Sequence, residues 1–319
     1  MLYQSVPGID RPVSRLVIGS MVAHVDTMPI TRELYDAFVA AGGNCIDTAY
    51  VYGGGKTEVA VGRWMRERGN RETIVMIAKG AHPTATSGPR VAPKAIDDDI
   101  KMSLARMQTD YFDLYMLHRD DPDYPVGPIV DALNAQIAVG RIRAFGGSNW
   151  THARLAEANA YAAAHGLIGF AVSSPYCGLA DQNEPMWAGC VGMTDDARAW
   201  YAENRMPVFQ WSSQASGLFT GRWSRQDRSN SDLVRVYYSD ANWNRVERAH
   251  QLAAEKGCTA NQIALAWALK QPYPAFALIG PRALPELADS LGALDIELTD
   301  AEWRRLREGQ SGAPEGLNA

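Results

Sequence analysis

Short apolar runs alternate with helix-like segments along the whole chain. The runs are LVIGSM from Leu16, NCIDTA from Asn44, TIVMIAKG from Thr73, YFDLYMLH from Tyr111, IRAFGGSN from Ile142, FAVSSPY from Phe170, PVFQWSS from Pro207 and AFALIG from Ala275. The segments between them carry helix signals. Thr31 reads as the cap of TRELYDAFVAAGG, Pro93 as the opening of PKAIDDDIKMSLARM, and Thr259 as the start of TANQIALAWALKQ, which Pro272 stops. Eight strands alternating with helices predict an α/β protein: parallel strands closed into a (β/α)8 barrel of the TIM type, one domain over residues 1–319. In such a barrel the active site lies in loops at the C-terminal ends of the strands. A doubly wound sheet, the competing arrangement, calls for a GxGxxG turn after the first strand, and VIGSMVAH has none.

The longest loop-like stretches, Gly80 to Pro93, Cys177 to Gly192 and Gly217 to Ser239, each follow a strand, which is where substrate contacts belong. The ending GQSGAPEGLNA, residues 309–319, reads as a mobile tail, and whether it covers the pocket stays open. Composition narrows the partners. The chain has 31 basic and 36 acidic residues, interspersed, for a net charge of −5, so no basic stripe points to nucleic acid or an anionic membrane. The better expectation is a soluble protein acting on a small molecule. Cys45, Cys177, Cys190 and Cys258 form no CxxC pair, which argues against a metal site and a disulfide framework and for the cytoplasm. The start MLYQSVPGIDRPVSRL lacks the apolar core of a signal peptide, and no later run reaches the roughly 18 residues of a membrane span. No heptad or exposed stripe decides oligomerisation.

Asp47, Lys79 and His118 each end a predicted strand, the second, third and fourth, and Tyr52 lies in the loop beyond Asp47. All four should face one mouth. Singly they could be a helix cap, a rim aromatic, a solvated lysine and a core histidine. Together they form a proton donor: an adjacent Lys79 cation stabilises the Tyr52 phenolate and lowers its pKa, Asp47 is the counter-ion of Lys79, and His118 orients a carbonyl oxygen.

The set DTAYVYG, AKG, LHR and GGSNW, in that order at strand ends, resembles the aldo-keto reductase superfamily, and the likeness runs from VSRLVIGSM to IGPRALPELADSLGAL. The resemblance implies NAD(P)H-dependent reduction of an aldehyde or ketone, or oxidation of an alcohol by the same path reversed. It makes Tyr52 the general acid, with Asp47, Lys79 and His118 as partners. It further implies cofactor contacts: Gly19 and Met21 at the first strand end, Ser148 and Asn149 on the nicotinamide carboxamide, with Ser173 in support, and Trp211 on the nicotinamide face. Ser212, Gln214, Gly217 and Arg222 match a pyrophosphate loop. Gly280, Arg282, Glu286 and Ser290 match the adenosine grip, where Arg282 would pair with a 2′-phosphate and favour NADP(H), while Glu286, a departure from the usual Gln, leaves NAD(H) possible.

Trp150 is expected as a wall of the substrate pocket. Arg90, Asp120, Asp121, Trp187, Arg225, Arg228, Tyr237 and Tyr238 populate the loops, and aromatic rings with arginines suit a polar, sugar-type carbonyl. The other reading is a cofactor-binding regulatory module similar to the potassium-channel beta subunits, with incidental catalysis.

Overall fold

The computed structural model describes residues 1–84 and 87–309. Most of the expected tail therefore lies outside the described residues. Eight parallel strands close into a barrel: β1 Leu16–Gly19, β2 Cys45–Asp47, β3 Val75–Gly80, β4 Phe112–Leu117, β5 Ile142–Ser148, β6 Val172–Ser174, β7 Val208–Gln210 and β8 Ala275–Ile279. β8 pairs with both β7 and β1, which leaves no edge. Helices α1 Met28–Ala40, α2 Lys56–Arg68, α3 Pro93–Met107, α4 Val126–Ala138, α5 His152–Ala164, α6 Asp195–Asn204, α7 Ser231–Tyr237, α8 Asp240–Lys256, α9 Ala260–Leu269, α10 Leu284–Gly292 and α11 Asp300–Glu308 follow in chain order. Among the described residues no helix is long and apolar enough to cross a membrane.

The barrel follows from strands that are apolar on both faces. Along β3, Val75 and Ile77 fill the interior while Met76 and Ala78 pack outward against helices. The same alternation puts Val17, Cys45, Leu114, Met116, Ala144, Val172, Phe209 and Phe276 inside. Phe209 and Phe276 stack with centroids 4.3 Å apart. A short hairpin, Tyr3–Gln4 with Val13–Ser14, brings Val6, Ile9 and Val13 into this interior cluster.

Two local expectations are corrected. Helix α1 begins one turn before Thr31, because Pro29 presets the first turn; Thr27 is its N-cap residue, and the Thr31 hydroxyl donates to the Thr27 carbonyl at 3.3 Å. The stretch from Gly217 to Ser239 is not one loop. It contains α7, whose amide at Leu233 is capped by the Asn230 side chain at 3.0 Å. By contrast α9 starts at Thr259 with a reciprocal Thr259–Gln262 capping box, and α3 opens at Pro93.

Candidate active site

Period-two alternation delivers the polar cluster. Asp47 continues the inward row of Cys45, Lys79 that of Val75 and Ile77, His118 that of Leu114 and Met116, and Ser148 that of Ala144. Each follows apolar residues that fill the barrel, so the polar ends emerge where the interior opens. There they line a cleft of about 1590 Å³, larger than the roughly 300–1,000 Å³ of an ordinary small-molecule pocket.

Lys79 Nζ donates to Asp47 Oδ1 at 2.5 Å and to the Thr48 carbonyl at 3.2 Å, with both charged residues buried. Burial works against the ammonium, but Asp47 and Tyr52 outweigh it and Lys79 titrates above its ordinary range. Lys79 Nζ lies 5.2 Å from the Tyr52 ring centre, and the Tyr52 and His118 rings meet edge to face at 5.7 Å. Burial pushes the Tyr52 phenol above its ordinary value, and Lys79 opposes that rise without cancelling it. The expectation of a lowered Tyr52 pKa is thus corrected: desolvation exceeds the lysine's pull. His118 is held far below its usual range by burial, then by the charges of Lys79 and Arg119, so its imidazole is neutral, and its Nδ1 has no hydrogen-bond partner.

The Tyr52 loop is braced from two helices. Gly53, Gly54 and Gly55 follow Tyr52 at φ of 55°, 62° and 91°, a left-handed run open to glycine and costly for other residues. Arg106 from α3 bonds the Tyr50 carbonyl at 3.0 Å and the buried Glu58 carboxylate of α2 at 2.8 Å. That brace is invisible in the sequence because its members are 48 residues apart.

On the expected cofactor side, Asn149 stands at φ 59° and ties several strand ends together. Its Nδ2 donates to the His118 carbonyl and to Ser148 Oγ, both at 3.2 Å. Its Oδ1 accepts from the Val191 amide at 3.1 Å and Trp211 Nε1 at 3.2 Å. Those four bonds fill the capacity of the amide, so in this structure Asn149 is a strut that aims Ser148 and Trp211. Trp211 lines the cleft with Tyr176 behind it at 5.2 Å. Ser212, Ala215 and Ser216 have φ of 50°, 46° and 53°, an uncommon set for residues with side chains and a concentration of strain at the cleft wall. Gly217 stands at φ 81°, a conformation that disfavours a side chain, and a Cβ there would also have to displace the end of Arg222, whose Nη2 would lie 2.9 Å away.

Further along the cleft, Glu286 sits between two arginines. Its carboxylate accepts from Arg282 Nη2 at 2.7 Å, from the Arg282 amide at 2.9 Å and from Arg222 Nη1 at 3.3 Å. One carboxylate against two guanidinium groups leaves a net positive charge. Gln214 donates to Ser290 Oγ at 3.2 Å, and Gly19, Met21 and Gly280 complete the wall, Met21 being 67% exposed.

Two expected residues lie elsewhere. Trp150 is fully buried and does not line the cleft, because its ring packs in the outer core on Phe170 at 4.8 Å and over Gly147 of β5. Ser173 faces outward, its Oγ 2.7 Å from the Tyr201 hydroxyl of α6. Its neighbour Ser174 has the inward parity, and Ser174 Oγ is buried without a partner. Of the loop residues, Arg90 is bound to Asp99, Arg225 to Asp240 and Glu247, and Arg228 lies over Tyr238, so none of the three lines the cleft. Trp187 does line it, 6.0 Å from Trp211, as does Asp120, which is paired with Arg154 at 3.2 Å. The sequence reading passed over His82, 5.0 Å from His118, and Arg119, although both lie just beyond strand ends. It also passed over Asn261, a buried cleft residue whose Oδ1 has no partner.

A closed parallel barrel with this polar mouth and long groove is the architecture of a ligand-binding enzyme of the α/β class. The sequence matches the profile of the Aldo/keto reductase family over residues 15–310, and the chain belongs to that family of oxidoreductases. It is 29% identical over 308 residues to an uncharacterized oxidoreductase, YrpG, of Bacillus subtilis, covering 93% of this chain and 92% of that protein. It is also 29% identical to a norsolorinic acid reductase of Aspergillus flavus, covering 87% and 71%. A probable voltage-gated potassium channel subunit beta of Oryza sativa is 25% identical, covering 93% and 92%. Among solved structures, a thermostable aldo-keto reductase crystallised with the inhibitor epalrestat superposes with a TM-score of 0.77 at 21% identity, covering 97% of this chain and all of that one. That likeness speaks to the fold.

Proposed function

We propose that the protein reduces an aldehyde or ketone to an alcohol with a nicotinamide cofactor, NADP(H) in preference to NAD(H), and that Tyr52 is the general acid. The observation that carries the reading is the convergence of Tyr52 on the buried Lys79–Asp47 pair and on neutral His118 at one point of the cleft. A dinucleotide fits the residues present. The strained backbone from Ser212 to Gly217 lies beside Arg222, the Arg222–Arg282–Glu286 cluster has surplus positive charge, and Asn261, which lines the cleft, has a buried Oδ1 without a partner. When bound, the cofactor supplies the hydride.

The chain's own part is proton delivery. Burial keeps the Tyr52 phenol protonated at neutral pH, so the proton is present when negative charge develops on the carbonyl oxygen. Lys79, kept cationic by Asp47, then stabilises the phenolate that is left. His118, neutral, offers a hydrogen bond to the same oxygen without competing as an acid. Cleft arginines and tryptophans suit a polar carbonyl such as a sugar-derived aldehyde or ketone.

The test is Tyr52→Phe. It removes only the donor, so kcat for reduction should fall at least about 100-fold while the Kd for NADPH, read by quenching of tryptophan fluorescence, changes little. Retention of the wild-type kcat would assign the acid elsewhere. Likeness to a channel beta subunit keeps the regulatory module as the second reading; tight cofactor binding with negligible turnover over a wide carbonyl panel would favour it.

A further inference from the structure

Lys79 has Asp47 as its counter-ion, and Arg222 and Arg282 share Glu286. The remaining arginine of the cleft wall, Arg119, has no carboxylate partner among the described residues. It is only 6% exposed and lines the cleft beside His118. Its Nη1 donates to the His118 carbonyl at 2.8 Å and its Nε to the Ala188 carbonyl at 3.2 Å, both neutral acceptors. Asp120, next in sequence, is engaged by Arg154 at 3.2 Å. Gly189, at φ 72°, lies close over the side chain, where a Cβ would be 3.3 Å from Arg119 Cδ and 3.5 Å from Nε. The guanidinium is therefore fixed in place, and among the described residues Nη2 has no oxygen or nitrogen acceptor, the Cys190 thiol being the side chain beside it.

The groups around it do not supply the missing charge. Burial lowers the pKa of His82 and, further, of His118, and it raises that of the Cys190 thiol, so all three are neutral near pH 7. Buried arginines are ordinarily paired, because a desolvated cation without a counter-ion is costly. A wall that holds one in a fixed pose, with a free donor edge, is suited to an anion from outside, and a planar guanidinium matches a carboxylate fork to fork.

We propose that Arg119 selects substrates by binding a carboxylate carried on the carbonyl compound, so that the preferred substrates are aldehyde or ketone acids. This rests on the reductase reading of the site and narrows its substrate class. Arg119 also explains why the other arginines of the loops are poor candidates, since Arg90 and Arg225 are already ion-paired.

The experiment compares two aldehydes of equal size, 4-carboxybenzaldehyde and its neutral amide, with the full chain and NADPH, and in parallel measures benzoate and benzamide binding by NMR titration. The wild type should prefer the acid, and Arg119→Met should lower the acid-to-amide ratio of kcat/KM roughly 10- to 100-fold. Arg119→Lys, which keeps the charge without the fork, should restore part of that ratio. Benzoate affinity should fall in step. If Arg119→Met does not fold, Arg119→Gln removes the charge while keeping a donor, and the same ratio is read. No preference for the acid in the wild type, or a ratio that Arg119 variants leave unchanged while overall rates fall, would overturn the proposal and make Arg119 a structural brace. Absence of turnover with both aldehydes, together with benzoate binding lost on removing Arg119, would support the anion site and reject the reductase reading instead. Absence of turnover with benzoate binding indifferent to Arg119 would reject both.

Discussion

At Tyr52 two influences oppose one another: burial raises the phenol's pKa and the Lys79 charge lowers it, with burial the larger. With Tyr52 as the proposed general acid, reduction requires the protonated phenol and alcohol oxidation the phenolate. The sign of the pH dependence follows. Since the folded pKa lies above the ordinary value near 10, kcat/KM for reduction should stay level from about pH 7 to about pH 9 and fall only as pH climbs through the phenol's own titration. Oxidation should rise over the same range. His118 adds no acid limb near pH 7, because its pKa is depressed and the imidazole is already neutral there. Profiles in both directions check this, and a reduction rate that halves near pH 7 would mean that a different group donates. Asp47, Lys79 and His118 were legible in the sequence because each closes an apolar strand whose parity is countable. Ser173 was misassigned for the same reason. One residue of register moves a side chain from the cleft to the outer layer, where Ser173 meets Tyr201.

Among the elements, α2 and α3 decide how the Tyr52 loop is held, and their contact depends on Gly62. A Cβ at Gly62 would lie 2.2 Å from the Met107 carbonyl oxygen and 2.5 Å from Met107 Cα, so backbone would have to move. In an open helix Gly→Ala stabilises by roughly 0.5–1 kcal/mol. Here the sign should reverse, with Gly62→Ala destabilising by roughly 1–3 kcal/mol, read as a lower urea midpoint at unchanged slope. An unchanged midpoint would show that the two helices separate easily. The capping box at Thr259 and the proline at Pro93 made two helix starts readable from local chemistry alone. The start of α1 was not, because Thr31 and Thr27 are both plausible caps and the choice depends on how Pro29 enters the turn.

Across the whole molecule, the expected cofactor groove joins side chains that the sequence keeps far apart. Arg222 and Arg282 meet over Glu286, which bonds both. Their surplus charge should favour a 2′-phosphate. Arg282→Ala is expected to raise the Kd for NADPH roughly 10- to 100-fold and that for NADH much less. Fluorescence titration with both cofactors measures the difference, and equal losses would refute a 2′-phosphate contact. Asn149 belongs to this scale too. In sequence it is one residue of GGSNW, but folded it bonds the His118 carbonyl, the Val191 amide and Trp211.

The chain by itself determined the order of strands and helices, the closed parallel barrel, and the strand-end positions of Asp47, Lys79, Ser148 and His118. These follow from local periodicity, which every short segment carries within itself. Only the tertiary structure decided which charges find partners. The burial of Trp150, the engagement of Arg90 and Arg225, and the lack of a carboxylate partner for Arg119 among the described residues depend on residues brought together from distant segments. Pairing and desolvation act through space, and the linear order of residues does not contain those distances.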